Sequence, residues 1–375
     1  MAEPFKNVFN RDLVARIGRH LSAGPAGFDR TAFEAMAVEG LDKLEFKDRS
    51  RLVTSALEHA LPADFATATR IIRAALHPDV DAAIGAASDE RGLRGWALMP
   101  VADYVAARGL AEFDASMVLL SEITCRFTSE FAVRPFILAD QDRAMAHVRR
   151  WSRHANPRVR RLASEGSRPR LPWGVRLTPF VEDPTPLLPV LETMRDDPSE
   201  YVRRSVANCL NDIAKDHPDL VADIARDWLS GASPERARLV RHACRTLVKQ
   251  GHPGALDALG FGPIDLNLTR ISLKASEVTL GGVLEFEVTL HSLEASERRV
   301  ALDYVVHHRK ANGGTTPKVF KWKVLRIGAG EILNLTRRHP IRPITTRVYR
   351  NGTHRVEIVA NGVLLGGADF ELVGA

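Results

Sequence analysis

A recurring Val-Arg pair is the feature that most constrains the fold of this chain. Each pair lies in a segment with the hydrophobic periodicity of an amphipathic helix. The pairs are Val133-Arg134, Val159-Arg160, Val202-Arg203 and Val240-Arg241, spaced by 26, 43 and 38 residues. The two longer spacings are typical of paired-helix repeats of the HEAT kind. The sequence therefore predicts an α-helical HEAT-like repeat solenoid.

The helix predicted at residues 201–215 belongs to the clearest of these repeats. Its apolar face consists of Val202, Val206, Cys209, Leu210 and Ile213. Arg204, Asn208 and Asp212 follow one another at one-turn intervals on the other face. A solenoid stacks such helices, so their polar stripes line one concave surface. We expect Arg161 with Glu165, and Glu130 with Arg134, at equivalent places in the two preceding repeats.

A proline-rich stretch interrupts the repeats. The helix before it begins at Asn156, a good N-cap, and ends at Gly166. The prolines that follow exclude regular helix for about twenty residues, and they are Pro169, Pro172, Pro179, Pro184, Pro186 and Pro189. Trp173 and three arginines, Arg168, Arg170 and Arg176, argue against a disordered segment. We predict an ordered, functional loop here.

The chain before residue 114 reads as helices without recognisable chemistry. Thr31-Ala32-Phe33-Glu34 has the pattern of a capping box that opens a second helix. Further helices are predicted near 47–61, 63–76 and 92–110, the last interrupted at Pro100.

After residue 262 the hydrophobic period changes from helical to alternating. About seven strands are predicted, near 268–274, 284–290, 300–306, 319–324, 332–337, 354–360 and 368–373. This number suits a small β-sandwich of immunoglobulin-like type, although a barrel remains an alternative. The predicted fold is therefore multidomain, with a helical solenoid followed by an all-β domain.

We expect two domains. The first, a helical domain, covers residues 1–262, with a cap at 1–113 and repeats at 114–262 that contain an inserted loop at 166–188. The second, the predicted β-sandwich, covers residues 263–375.

Charge is distributed unevenly along the chain. The net charge is +6, and residues 265–375 alone carry 16 Lys and Arg against 11 Asp and Glu. A basic region of this kind suits a polyanionic partner such as DNA. Forked guanidinium groups also suit phosphate oxygens, although solvated arginines remain an alternative.

Several classes of protein are disfavoured by what the sequence lacks. No apolar run approaches the about twenty residues of a membrane span, and the N-terminus has no signal-peptide core, so a cytoplasmic protein is expected. Three widely spaced cysteines predict neither a disulfide framework nor a zinc site. His307 and His308 lack further ligands at metal spacing, and no phosphate loop or dinucleotide fingerprint occurs. We expect no metal and no cofactor.

Three carboxylates recur on the predicted concave face, Glu130, Glu165 and Asp212. One interpretation is structural, because Glu130 with Arg134 and Arg161 with Glu165 have the spacing of ion pairs along a helix. The other is a cluster of anions that stabilises a developing cation. Both interpretations remain open from spacing alone.

Three long blocks, together with the opening segment Pro4-Phe5-Lys6-Asn7-Val8-Phe9-Asn10, carry a family resemblance. The blocks cover residues 126–136, 159–173 and 201–218. They resemble the AlkC branch of the HEAT-like-repeat alkylpurine DNA glycosylases, and the similarity extends from residue 4 to about 250. By its pattern of strands, residues 263–375 resemble the C-terminal immunoglobulin-like domain found in part of that branch.

The resemblance implies a DNA glycosylase of base excision repair. It implies hydrolysis of the N-glycosidic bond of N3-methylated bases, chiefly 3-methyladenine and also 3-methylcytosine, without flipping of the base. Glu130, Glu165 and Asp212 match the family's catalytic carboxylates, and Trp173 matches a family tryptophan. The partner would be double-stranded DNA containing alkylated bases, bound by a cytoplasmic, nucleoid-associated monomer.

Expected DNA contacts come from both parts of the chain. They are Trp173, Arg134, Arg161, Arg168, Arg170, Arg203, Arg204, Arg309 and Lys310. The alternative function is a non-catalytic HEAT-repeat scaffold that binds DNA or an acidic protein and keeps the carboxylates as ion-pair partners.

Overall fold

The protein consists of two compact units. The computed structural model describes residues 4–81, 83, 85–344 and 347–375. The first unit extends to Asp216 and the second begins at His217. No helix in these ranges is long and apolar enough to cross a membrane.

The first unit is built from helices, as the sequence predicts. They are α1 (Arg11–Ser22), α2 (Arg30–Val38), α3 (Phe46–Ala60), α4 (Phe65–Ala75), α5 (Leu98–Arg108), α6 (Phe113–Thr124), α7 (Arg134–Ala139), α8 (Gln141–Trp151), α9 (Pro157–Glu165), α10 (Thr178–Glu182), α11 (Leu188–Thr193) and α12 (Glu200–Ile213). Short 3-10 turns lie at Phe5–Val8, Leu41–Lys43, Gly95–Ala97 and Thr185–Leu187. Side chains such as Asn10, Asp64 and Asn156 accept backbone N–H groups at the helix starts, where those groups have no partner within the helix.

Helices α9 and α12 pack side by side and position the polar residues discussed below. The predicted apolar face of α12 is confirmed, because all five of its members are buried. Where the two helices touch, the Ser164 hydroxyl donates to the Ser205 hydroxyl at 2.7 Å. A buried serine pair with satisfied hydrogen bonds lets the backbones approach closely without leaving an unpaired polar group.

The start of the second helix differs from the prediction. Asp29, rather than Thr31, is the N-cap, and its carboxylate accepts from the Ala32 N–H at 2.9 Å. Glu34 does not close a capping box but accepts from Arg30 Nε at 2.7 Å. The aspartate two residues earlier provides the stronger cap, so the predicted box is wrong.

The proline-rich stretch is also more regular than predicted. Residues 178–182 form α10, with Pro179 in its first turn. A proline in that turn lacks an N–H group that would have no helical partner anyway, so it costs nothing there. The loop predicted at 166–188 is therefore interrupted by a short helix. Helix α5 likewise takes Pro100 into its first turn, and it begins only at Leu98.

The second unit combines four helices with eight strands in its described residues. The helices are α13 (Pro218–Leu229), α14 (Pro234–Ala243), α15 (Arg245–Gln250) and α16 (Pro253–Ala258). The strands are β1 (Leu266–Leu273), β2 (Glu277–Thr279), β3 (Val283–Ser292), β4 (Arg298–Arg309), β5 (Thr315–Ile327), β6 (Ile332–Pro340), β7 (Gly352–Ala360) and β8 (Val363–Val373).

The strands form two sheets, in the orders β1-β3-β6 and β2-β8-β7-β4-β5. Neighbours are antiparallel except for β2 and β8, which are parallel. A shared core of alternating residues, including Phe286, Tyr304, Val306, Ile358 and Phe370, fills the space between them. The predicted β-sandwich is thus confirmed over the barrel, and short β2 is the strand that the sequence pattern missed.

Candidate active site

Two buried carboxylates and one arginine meet where α9 packs against α12. Arg168 donates from Nη1 to Glu165 Oε1 at 2.7 Å and from Nε to Asp212 Oδ2 at 2.8 Å. Glu165 is the last residue of α9 and Asp212 lies near the end of α12, so the packing of these helices brings the carboxylates to one arginine. The three side chains are at most 8% exposed.

The outer oxygens of both carboxylates also have partners. The Ser205 hydroxyl donates to Glu165 Oε2 at 2.7 Å, and Lys215 Nζ donates to Asp212 Oδ1 at 3.0 Å. Neither residue is among the predicted site residues, although helical spacing places Lys215 one turn after Asp212 on a predicted helix.

Arg168, which the sequence predicts as a DNA contact, lies between the two carboxylates. Its guanidinium is bonded to two carboxylates and is 8% exposed. Burial alone would lower its pKa, but the hydrogen bond to Asp212 and the charge of Glu165 outweigh burial and raise it. Arg168 therefore remains a fixed cation that offsets the mutual repulsion of the two carboxylates.

Glu130 extends this cluster into a chain of alternating charge. Arg161 Nη1 lies 3.4 Å from Glu130 Oε2, and its Nη2 lies 3.7 Å from Glu165 Oε1. The Arg161 guanidinium also stacks 4.8 Å from the centre of the Tyr201 ring. Burial raises the pKa of Glu130, and the charge of Arg161 offsets only part of that effect. The ion pair proposed between Glu130 and Arg134 from their spacing is absent among the described residues.

Arg134, which the sequence also predicts as a DNA contact, donates its hydrogen bonds to backbone carbonyls of the loop. It is fully buried. Nε donates to the Val175 carbonyl at 2.5 Å, and Nη1 donates to the carbonyls of Gly166 and Arg168 at 2.9 Å each. Burial, together with the nearby charge of Arg168, lowers the pKa of Arg134 to about 10. The guanidinium thus holds both ends of the loop that carries Trp173.

Trp173 lies at the tip of that loop with 74% of its surface exposed. Its φ of 67° places it in the left-handed region, which a bulky residue rarely adopts. A Cβ at Gly174 beside it would lie 3.2 Å from Leu171 Cδ2 and 3.3 Å from Arg134 Cδ, so a larger residue there would require those side chains to shift. Such strain in a loop braced by buried contacts is typical of functional positions.

The remaining predicted DNA contacts differ in their intramolecular partners and in their exposure to solvent. Arg170 forms a two-pronged pair with Asp216, at 2.9 and 2.6 Å. Arg203 donates to the carbonyls of Asp197 and Pro198. Arg204 pairs with Glu200 at 2.6 Å but is 66% exposed.

Two predicted contacts lie in the second unit. Arg309 ends β4 and Lys310 follows it, and both side chains are exposed. Within the described part of the chain, neither has an ion-pair partner. In the same part of the chain, no group of three or more His, Cys, Asp or Glu is placed to hold a metal ion.

Comparison with known proteins identifies relatives of this architecture. The family model "Uncharacterised protein YhaZ, C-terminal Ig-like domain" matches residues 267–374, and a HEAT-repeat model matches residues 187–217. The YhaZ protein of Bacillus subtilis (strain 168) is 37% identical over 369 residues, which cover 98% of this chain and 99% of YhaZ.

A solved structure also matches nearly the whole chain. It is the Pseudomonas fluorescens alkylpurine DNA glycosylase AlkC bound to DNA containing an abasic site analog. The TM-score is 0.84 and the sequence identity is 34%, over 99% of both chains. The chain therefore belongs to the AlkC branch of the HEAT-like-repeat alkylpurine DNA glycosylase superfamily, in the form that carries a C-terminal immunoglobulin-like domain.

Proposed function

We propose that this protein is a DNA glycosylase that hydrolyses the N-glycosidic bond of cationic N3-methylated bases, 3-methyladenine and 3-methylcytosine, without flipping them. The observation that carries the proposal is the pair of carboxylates, Glu165 and Asp212, held 2.7 and 2.8 Å from the single guanidinium of Arg168. The likeness to AlkC, an alkylpurine DNA glycosylase solved on DNA with an abasic site analog, supports the same activity here.

The chemistry of the substrate explains why carboxylates suffice. N3-methylation gives the base a positive charge, so it leaves as a neutral molecule and needs no strong acid. As the bond from C1′ to nitrogen breaks, its electrons go to the base and the sugar becomes oxocarbenium-like. Carboxylates aimed at that cation stabilise the transition state more than the ground state. Glycoside hydrolases use paired carboxylates on similar logic.

The hydrogen bonds around Glu165 and Asp212 fix both groups before substrate binds. Ser205, Lys215 and Arg168 together hold all four oxygens of the two carboxylates, so little reorganisation is needed when the sugar cation develops. One carboxylate also orients the attacking water and receives its proton. Glu130, linked through Arg161, extends the negative site.

Excision of a base that stays stacked in the duplex is compatible with the exposed position of Trp173. The N3 atom of adenine faces the minor groove, so a protein on that side reaches the lesion within the stack. The indole, which is largely exposed, would pack against the lesion or its sugar. The exposed cations Arg204, Arg309 and Lys310 would bind the DNA phosphates.

The direct test is release of free base from methylated duplex DNA by the full-length protein, with each base identified by chromatography. We expect free 3-methyladenine and 3-methylcytosine together with abasic sites. Absence of both products would contradict the proposal.

A second candidate is a non-catalytic DNA-binding scaffold, favoured by the fact that Glu165 and Asp212 are fully engaged in ion pairs. Such a scaffold would bind methylated duplex in the same assay without releasing base.

A further inference from the structure

A second polar feature of the first unit adjoins the chain of alternating charge at Glu130. A cleft of about 390 Å³ opens beside Trp173 and reaches down to Asp103 on α5. Helix α3 and the turn before α5 form its other sides. We call it the aromatic cleft, and it is lined by Phe5, Phe46, Trp96, Met99, Asp103 and Trp173.

The apolar wall of the aromatic cleft is a cluster of rings. Phe5 stacks on Phe46 with their centres 5.0 Å apart, and both meet Trp96 edge-on at 5.2 and 5.6 Å. Phe5 remains 60% exposed, so the cluster keeps an open face. Aromatic faces carry negative potential and attract cations, including methylated ammonium groups.

Asp103 is a carboxylate without a partner. In the described part of the chain it has neither a hydrogen bond nor an ion pair, although its side chain is half-buried. Burial raises its pKa to about 6, against a weaker opposing effect of Arg51. At neutral pH the aromatic cleft therefore holds a negative charge that nothing offsets by contact, which costs free energy unless a cation binds.

The other charged groups along the aromatic cleft are already engaged. Arg51 pairs with Asp48 at 2.8 Å. The Lys47 ammonium lies 5.3 Å from the centre of the Trp173 ring, and Glu130 pairs with Arg161. Among the residues that the structure describes, the buried Ser50 hydroxyl, which also lines the cleft, has no hydrogen-bond partner. An unpaired carboxylate and an unpaired hydroxyl therefore lie beside aromatic faces in one cleft.

We infer that the aromatic cleft binds a planar N-alkylated cation, with Asp103 as its counter-ion and the rings of Phe5, Phe46 and Trp96 against its alkyl substituent. The inference rests on the proposed function and deepens it, because it names the part of the chain that recognises the alkylated edge of the base.

The position of the aromatic cleft fits this use. Glu130 lines it and also belongs to the charge chain that leads through Arg161 to Glu165. An N3 substituent of adenine projects into the minor groove from a base that stays stacked. The aromatic cleft has room beyond a methyl group, so larger N3 substituents are also accepted. Asp103 is then a specificity-determining residue.

Binding can be measured without catalysis, by NMR titration of the full-length protein with 3-methylcytidine, which is cationic, and cytidine, which is not. We expect wild-type protein to bind 3-methylcytidine about tenfold more tightly or better. Asp103→Asn should reduce the preference to about twofold or less, and Glu58→Gln, an exposed change on α3, should keep it. Equal binding of both nucleosides by wild-type protein, or an unchanged preference in Asp103→Asn, would overturn the inference.

Excision provides the second readout. Met99→Trp should fill the aromatic cleft, and Met99→Leu, which conserves volume, is its control. On duplexes with 3-methyladenine or 3-benzyladenine, Met99→Trp should lower the benzyl-to-methyl rate ratio by about tenfold, whereas Met99→Leu should not. If wild-type protein releases methyl base but Met99→Trp leaves the ratio unchanged, the inference is wrong and the proposed function stands. If wild-type protein releases neither base, the proposed function fails and the nucleoside titration still decides the inference.

Discussion

The candidate active site and the basic end of β4 place their charges in opposite ways. Glu165, Arg168 and Asp212 are buried and bonded to one another. Arg309 and Lys310 are exposed and, among the described residues, have no ion-pair partner. Both regions are rich in charge in the sequence, but only the first has a geometry fixed by the fold.

Charges fixed in a buried site and mobile charges on a surface suit different kinds of chemistry. Buried charges cost several kcal/mol unless they are paired, so a site that keeps them has them in defined positions. Exposed cations keep their freedom and can follow phosphates along a duplex. We therefore expect substitutions of buried charges in the first unit to have large, specific effects on stability or excision. Substitutions of exposed cations in the second unit should have additive, salt-dependent effects on DNA binding.

The largest effect on stability should come from Arg134, the buried brace of the Trp173 loop. Arg134→Met removes a charged donor from three carbonyls and should lower the free energy of unfolding by about 3 kcal/mol or more. Urea denaturation measures the change. Arg204→Met, at an exposed pair on α12, should cost less than about 1 kcal/mol. Equal costs for the two variants would break the distinction between buried and exposed arginines.

The next largest effect should come from removing the charge of a carboxylate that we propose to be catalytic. Glu165→Gln and Asp212→Asn should each slow base release by about 100-fold or more, a typical loss when one electrostatic contact to a transition state is removed. DNA affinity should hold or rise, because a negative charge near phosphate is lost. Single-turnover rates and binding isotherms test both statements, with the exposed Glu200→Gln of α12 as control. Full activity in folded Glu165→Gln and Asp212→Asn would remove both residues from the mechanism.

Trp173 should affect discrimination more than affinity. Trp173→Ala should reduce the preference for methylated over plain duplex by about tenfold. Stacking of one base on an aromatic side chain contributes about 1–3 kcal/mol of binding free energy, which is consistent with that reduction. Competition binding with both duplexes measures the ratio. If binding to both duplexes weakens equally, Trp173 supports the loop and does not contact the lesion.

The smallest effect should come from the exposed cations of the second unit. Changing Arg309 and Lys310 to Gln should weaken binding several-fold on methylated and plain duplex alike. The slope of log affinity against log salt should fall by about 1 for each charge removed. Arg355→Gln is the matched control, because Glu357 and Asp369 already offset its charge. An unchanged salt slope in the double variant would show that this end of β4 does not contact DNA.

The sequence predicted the fold well because the fold follows from periodicity, and the same periodicity placed Glu165 and Asp212 on two repeat helices. The apolar stripe of α12 determines which side faces its neighbours, and Asp212 follows from helical spacing. Strand alternation likewise predicted the sandwich. These are local signals that tertiary packing preserves.

The direction of long side chains could not be predicted in this way. Arg134 and Arg168 turn inward because carbonyls and carboxylates from other segments surround them. Glu130 lies in a turn before α7, where the spacing rule for ion pairs along a helix does not apply, so it pairs with Arg161 instead of Arg134. Asp103 has no motif around it, and its role is visible only once α5 is placed beside Trp173.

The role that we propose for the carboxylates is to stabilise a sugar cation while the base leaves as a neutral molecule. It is tested most directly by comparing single-turnover excision of 3-methyladenine with that of uncharged 3-deaza-3-methyladenine in the same duplex. The two bases have nearly the same shape, so similar binding is expected for both. We predict rapid release of 3-methyladenine and no measurable release of the neutral analogue. Release of both at comparable rates would contradict it, because that outcome requires the protein to protonate the departing base.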